Sequence, residues 1–186
     1  LNDSTLHPQP TPADAYTEAL SFLYGQINYE KMTGLSADRY QFRLQKMSEL
    51  LCDLGLGRYL HSSNSRPPVP LIHIAGTKGK GSVAAMVAAM LTAGGLRTGL
   101  YTSPHLHCLE ERFRVDGEAC SPQQLVTLAQ ELRKSVESHR STSDSSSTED
   151  GPSFFELTTA LALLHFERSQ CQAIVLEVGL GGRLDS

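Results

Sequence analysis

The sequence is poor in the features that would direct it to a membrane, a metal cage or an extracellular scaffold. No apolar run approaches the roughly 18–20 residues that a membrane-spanning helix needs. The amino terminus, LNDSTLHPQP, has neither the basic start nor the apolar centre of a secretory signal. It does not begin with Met, which leads us to expect a trimmed chain or a piece of a longer one. The four cysteines, Cys52, Cys108, Cys120 and Cys171, form no C-x-x-C pair. Zinc-knuckle and dithiol redox motifs are therefore absent, and the expectation is buried free thiols in the reducing cytoplasm. No H-x-x-x-H pair occurs among the seven histidines. His105 and His107, two apart, read as packing or surface residues rather than zinc ligands. Basic residues are outnumbered, 16 to 20, for a net charge of -4. That is the opposite of the electrostatic footprint of a general nucleic-acid binder. No Ser/His/Asp or Cys/His hydrolase set is readable.

What is present is a chain of 186 residues, 40% hydrophobic and 19% charged, enough for one globular domain with a real core. Its organising stretch is Leu71 to Ser82, LIHIAGTKGKGS. An apolar run feeds into a glycine-rich turn, and a helix-compatible run from Val83 to Leu91 follows. Strand, glycine turn and helix in that order make an anion site. Turn amides point inward, the first helical N–H groups lack intrahelical partners, and the helix dipole adds positive charge. Lys80 would bring a full charge to the outer phosphates, and Ser82 a hydroxyl to phosphate or Mg²⁺. The strict pattern G-x-x-x-x-G-K-[ST] is missed, because Ile74 stands at the first glycine and Gly81 separates Lys80 from Ser82.

Around this stretch the periodicities alternate as an α/β fold requires. Residues 1–60 read as a helical lead-in. Thr11-Pro12-Ala13-Asp14 starts a helix with Tyr16, Ala19, Leu20 and Leu23 on one face, ended by Gly25. Residues 27–35 read as a loop. Ser36 caps a second helix with the stripe Tyr40, Leu44, Met47, Leu51 and Leu54, stopped by Gly55 and Gly57. Residues 61–70 are a linker by composition. The helix after the glycine turn is apolar almost all round, which predicts burial on most faces. Residues 97–102 form a second strand in a βαβ unit, and residues 111–116, ending at Asp116-Gly117, a third. Ser121-Pro122-Gln123-Gln124 opens a helix with a capping box. Seven serines in residues 138–153 predict a flexible loop. Ser153-Phe154-Phe155-Glu156 opens another helix. On spacing alone Glu156 caps its own helix, and the two phenylalanines pack in the core. Ala173 to Val178 is a strand apolar on both faces, as in a central parallel position, although a chain of this length could leave it as an unpaired edge.

Glu177 breaks that strand's pattern. A carboxylate at the end of a buried strand needs a partner. Beside a phosphate site that partner is Mg²⁺, with a salt bridge to Arg183 as the plainer alternative. Ser103, leaving the strand 97–102, falls on the same sheet edge. The residues themselves thus describe a nucleoside-triphosphate site with Lys80 on phosphate and Ser82, Ser103 and Glu177 around a metal. They leave the phosphoryl acceptor open.

Five segments in order, IHIAGTKGKGS, GLRTGLYTSPHL, ERFRVDGE, SFFELTTALALLHF and AIVLEVGLGGRLDS, together resemble folylpolyglutamate synthase and the bifunctional dihydrofolate synthase, members of the Mur-ligase superfamily. The resemblance runs from about residue 15 to 186 and covers only part of such an enzyme. It implies a three-layer α/β/α fold of P-loop type with a mostly parallel sheet. Residues 1–186 would be the N-terminal part of the ATP-binding domain, without the C-terminal ligase domain. It also implies a reaction. ATP phosphorylates the carboxylate of dihydropteroate or of a folate polyglutamate, and L-glutamate attacks the acyl phosphate. Thr77, Lys78, Gly79, Lys80, Gly81 and Ser82 match the family's ATP loop, with Lys80 catalytic and Lys78 where many members have Asn. Ser103 and Glu177 match its magnesium ligands. Ser153, Phe154, Phe155 and Glu156 match a substrate-lining segment, as do Leu184, Asp185 and Ser186. Thr33, Gly34 and Leu35 sit where the family has a further, looser pterate contact. The implied setting is a monomeric cytoplasmic enzyme using Mg²⁺ and ATP. The histidine and modified lysine that complete the family's site lie beyond Ser186, so the chain alone is expected not to catalyse the ligation. The competing readings are a cell-wall Mur ligase and a non-catalytic nucleotide-binding module.

Overall fold

The computed structural model describes residues 11–25, 37–60, 69–142 and 151–179. Thr33, Gly34, Leu35, Ser36, Arg183, Leu184, Asp185 and Ser186 lie outside these residues, as does most of the linker 61–70. Five strands form one sheet in the order β1-β5-β2-β3-β4. They are β1 (Leu71–Ile74), β2 (Thr98–Tyr101), β3 (Phe113–Val115), β4 (Glu118–Ala119) and β5 (Ala173–Glu177). β1, β5 and β2 run parallel, and β3 and β4 continue antiparallel.

β5 therefore lies between the two strands of the βαβ unit, and among the described residues β1 is an edge. The central parallel position read from its apolar run holds, and β5 is not left as an unpaired edge. Its residues are buried on both faces, and that two-sided apolarity requires a neighbour on each side. The segment 111–116 is only half strand, because Leu109–Arg112 forms a 3-10 turn before β3.

The two faces of the sheet carry different layers. Ile72, Ile74, Leu100 and Val175 meet Ala84 and Ala88 of α3 (Lys80–Ala93). The alternate residues Leu71, Tyr101, Ile174 and Leu176 join the larger cluster that contains α5 (Phe154–Arg168). Outside α5 pack α1 (Pro12–Tyr24), α2 (Ala37–Asp53) and α4 (Pro122–Thr142). This is the α/β/α layering that the resemblance implied.

The structure reverses the expected burial of one helix and makes another the centre of the core. α3, apolar almost all round, buries only Ala84 and Ala88, while Val83, Met86 and Met90 are exposed. The sheet covers one face of α3, and among the described residues nothing covers the other. α5 is the central helix, buried from Phe154 through Phe166 because it has the sheet on one side and α1, α2 and α4 on the other. α4 runs to Thr142, into the serine-rich segment expected to be a loop. The caps expected at Thr11 and Ser121 are present. Thr11 and Asp14 form a capping box, and Ser121 and Gln124 another. All four cysteines are free, but Cys52 and Cys108 are exposed where buried thiols were expected.

Candidate functional site

Register brings the carboxyl ends of three parallel strands level. Ile74 pairs with Glu177, and Tyr101 with the preceding Leu176. The glycine turn leaves β1, Ser103 follows β2, and Gly179 follows β5, all at one edge. This is where open α/β sheets place ligands.

Gly79 opens α3 with φ +76°, a left-handed backbone that favours glycine. Lys80 is the first helical residue, three positions before the expected start. No side chain caps α3 at Gly79, whereas α1 and α5 carry full capping boxes. The first-turn amides at Lys80, Gly81 and Ser82 are left for another acceptor. Thr77, Lys78, Gly79 and Ser82 are exposed, and Lys80 and Gly81 half-buried. The Lys80 stem folds back over the turn, with Cγ 3.8 Å from where a Cβ on Gly76 would stand.

Glu177 joins the pieces. It is only 6% exposed, yet its Oε2 accepts a hydrogen bond from the Ser103 backbone N–H at 3.1 Å. A methyl group on Gly81 would stand 3.3 Å from the same oxygen and 3.5 Å from Oε1. The carboxylate thus lies against the first turn of α3, where the helix dipole favours negative charge. Among the described residues no group of three His, Cys, Asp or Glu could hold a metal as a protein cage. Mg²⁺ does not require one, since it is usually held by one or two carboxylates together with substrate phosphates and waters. One buried carboxylate and one hydroxyl residue beside a phosphate-type turn fit that ion.

Ser153, Phe154, Phe155 and Glu156 stand at the start of α5. The Ser153 N–H donates to Glu156 Oε2 at 2.6 Å, and the Glu156 N–H to Ser153 Oγ at 3.3 Å, so the capping reading of these two residues holds. Glu156 Oε1 is buried and has no hydrogen-bond partner. Phe154 stacks on Tyr24 at 5.1 Å and lies under the Arg112 guanidinium, also at 5.1 Å. Phe155 tilts against Tyr101, and a methyl on Gly179 would meet its ring at 2.8 Å. The start of α5 therefore touches the strand ends that carry Ser103 and Glu177. Arg112 and Tyr24 escaped the sequence reading. The Phe154 ring that both of them meet lies far away in the chain, and no local pattern marks either residue.

No protein-family model matches the chain. A dihydrofolate synthase/folylpolyglutamate synthase of Bacillus subtilis is 31% identical over 173 residues, covering 92% of this chain and 35% of that protein. The crystal structure of folylpolyglutamate synthase from Thermotoga maritima superposes with a TM-score of 0.74 at 36% identity, covering 94% of this chain and 35% of that one. A folylpolyglutamate synthase complex with AMPPCP and folate superposes with a TM-score of 0.73 at 31% identity, covering 91% of this chain and 36% of that one. Across the first curated relatives the chain spans 18% to 35% of their length.

Proposed function

The chain belongs to the folylpolyglutamate synthase/dihydrofolate synthase family, and from that premise we propose that it forms the nucleotide-binding part of an ATP-dependent ligase joining L-glutamate to a pterate or folate carboxylate. One observation carries the reading. The buried Glu177 carboxylate reaches both the Ser103 amide and the first turn of α3, so phosphate loop and metal-side loop converge on one acid. The AMPPCP and folate bound by a structural relative support ATP and folate as ligands here.

Under this reading the amides of residues 77–82 and the Lys80 ammonium hold and orient the ATP phosphates. Negative charge building on the transferred phosphoryl group is met by preorganised donors. Glu177 and Ser103 supply the oxygens for Mg²⁺, which when bound neutralises phosphate charge. The acceptor carboxylate attacks the γ-phosphorus as the bond to ADP breaks, giving an acyl phosphate. The amino group of L-glutamate then attacks the acyl carbon, phosphate departs, and the amine loses a proton. Glu156 Oε1, buried and unpaired, supports an acceptor pocket at the start of α5, because such an atom in a native fold asks for a ligand or water. We extend the reading to Thr33, Gly34, Leu35, Leu184, Asp185 and Ser186 as further acceptor contacts, with residues 1–60 as lead-in to the ATP-binding domain of a monomeric cytoplasmic enzyme.

The test is titration calorimetry of the chain with ADP and AMPPCP, with and without Mg²⁺. Lys80→Ala is expected to weaken nucleotide binding by about tenfold or more, the loss of one charged phosphate contact. Glu177→Gln is expected to remove the Mg²⁺-dependent part alone. Unchanged affinity in Lys80→Ala would mean that the phosphates bind elsewhere.

A further inference from the structure

The loop that carries Ser103 has little core of its own. Leu106 is 85% exposed, and His107 and Cys108 are exposed too. Side chains tether it at both ends. At the far end the Glu111 carboxylate accepts from the amides of Leu106, His107 and Cys108 at 2.8, 3.0 and 3.2 Å. These bonds hold its carboxyl below the usual range. At the near end stands His105, two residues from Ser103. Arg112 Nε donates to His105 Nδ1 at 2.9 Å. Because arginine only donates, Nδ1 is the acceptor, and the proton of the neutral ring sits on Nε2, 3.3 Å from the Tyr24 hydroxyl.

Arg112 itself is 1% exposed, a heavy cost for a permanent charge unless it is closely partnered. Its guanidinium faces the Phe154 ring, which also stacks on the Tyr24 ring at 12°. Tyr24 also meets His105 edge-on. Four side chains thus close a ring: Arg112 to His105, His105 to Tyr24, Tyr24 to Phe154, Phe154 to Arg112. The ring clamps the Ser103 loop to the first turn of α5, the element that bears the proposed acceptor pocket. Plain packing of Phe154 would be met by any apolar neighbour. A buried arginine with a planar fork fixes a direction as well as a volume, and the histidine it holds belongs to the loop.

We propose that Arg112, acting through His105, is a positioning residue that sets Ser103 beside Glu177 and keeps the metal-side loop in register with the acceptor-side helix. This rests on the reading of Ser103 and Glu177 as a magnesium–nucleotide site, and the two parts are tested separately.

The first measurement needs no ligand. Amide hydrogen exchange is followed at Ser103, whose N–H is held by Glu177, with Val175 and Leu176 of β5 as internal controls. His105→Leu removes the acceptor at a half-exposed position and should speed exchange at Ser103 by about tenfold, leaving the β5 amides within about twofold. His105→Gln keeps an acceptor for Arg112 and should restore most of the protection. Arg112→Lys keeps the buried charge but loses the fork, and is expected to fall between. Unchanged Ser103 exchange in both His105→Leu and Arg112→Lys overturns the proposal. So does equal acceleration of Ser103 and β5, which would be general loosening.

The second measurement is the ratio of AMPPCP affinity with and without Mg²⁺. In His105→Leu the metal-dependent gain should fall about tenfold, with metal-free affinity within about twofold of wild type. A parallel fall of both affinities overturns the proposal. If the wild-type chain shows no Mg²⁺-dependent gain while Ser103 exchange responds as described, the magnesium–nucleotide reading fails and the positioning of the loop stands.

Discussion

Gly99 sets how closely α5 approaches the sheet, and Gly99→Ala tests that spacing. A Cβ at this position would stand 2.6 Å from two ring carbons of Phe166 and 2.9 Å from a third. Carbon atoms rest at roughly 3.5–4.0 Å, so about 1 Å of movement is required. Neither partner yields easily. Gly99 lies in β2, paired on one side with β5 and on the other with β3. Phe166 is fully buried on a helix packed on every side. Replacing glycine in a strand would otherwise help, by about 0.5–1 kcal/mol of backbone entropy. Overpacking a rigid core costs about 1–3 kcal/mol, so the clash wins. With both walls fixed we expect a net loss of about 2 kcal/mol, or a Tm roughly 4–8 °C lower for a chain of this size. The assay is thermal and urea unfolding followed by circular dichroism. Phe166→Leu in the Gly99→Ala background should recover part of the loss, with a coupling of about 1 kcal/mol in a double-mutant cycle. A Tm within about 1 °C of wild type, or strictly additive losses, would refute the contact. The consequence reaches the site, because β2 ends two residues before Ser103.

Further expectations can be checked on the same chain. Burial lowers the pKa of His165. The unfolded chain then binds more protons below the ordinary value of 6.5, so stability is full above that pH and declines beneath it, by at most about 1.4 kcal/mol per pH unit. His165→Leu should flatten the curve between pH 7 and 5, and parallel curves would refute it. Burial pushes the Cys120 thiol up to about 12 and Cys171 to about 11. Alkylation at pH 8 should therefore reach Cys52 and Cys108 in the folded chain, and Cys120 and Cys171 only in urea; mass spectrometry of the labelled peptides decides. Ser153→Ala removes a buried cap and should cost about 1–2 kcal/mol in urea unfolding. Loss of nucleotide binding without loss of stability would argue against the capping role.

Local chemistry was legible in the chain and global placement was not. The glycine turn, the caps at Thr11, Ser121 and Ser153, and the apolar run of β5 each rest on neighbours a few residues apart, and each is where spacing put it. The exposure of Met86 and Met90 was not readable, because periodicity reports which residues are apolar and not which of them another element covers. The same limit hid the centrality of α5, whose burial depends on α1, α2 and α4 together. Within the site, Glu177 was legible as an acid out of place in an apolar strand, and Ser103 by its position after β2. Their hydrogen bond needed the register of β5 against β2. The ring of Arg112, His105, Tyr24 and Phe154 draws on three separated segments, and no local pattern joins them.

The position of β5 has a consequence in time. Leu71 pairs with Ile174, and Leu100 with Val175. During synthesis β1 and β2 both emerge long before the strand that unites them, while β2 can pair with β3 early. At roughly 5–20 residues per second the chain waits on the order of ten seconds before a parallel sheet can close. Throughout that interval β1 has no described strand to pair with, and α3 lacks β5, one of the strands it lies on. β5, the last of the described strands, brings Glu177 with it, so the acid reaches Ser103 and the first turn of α3 in the same event that joins β1 to β2.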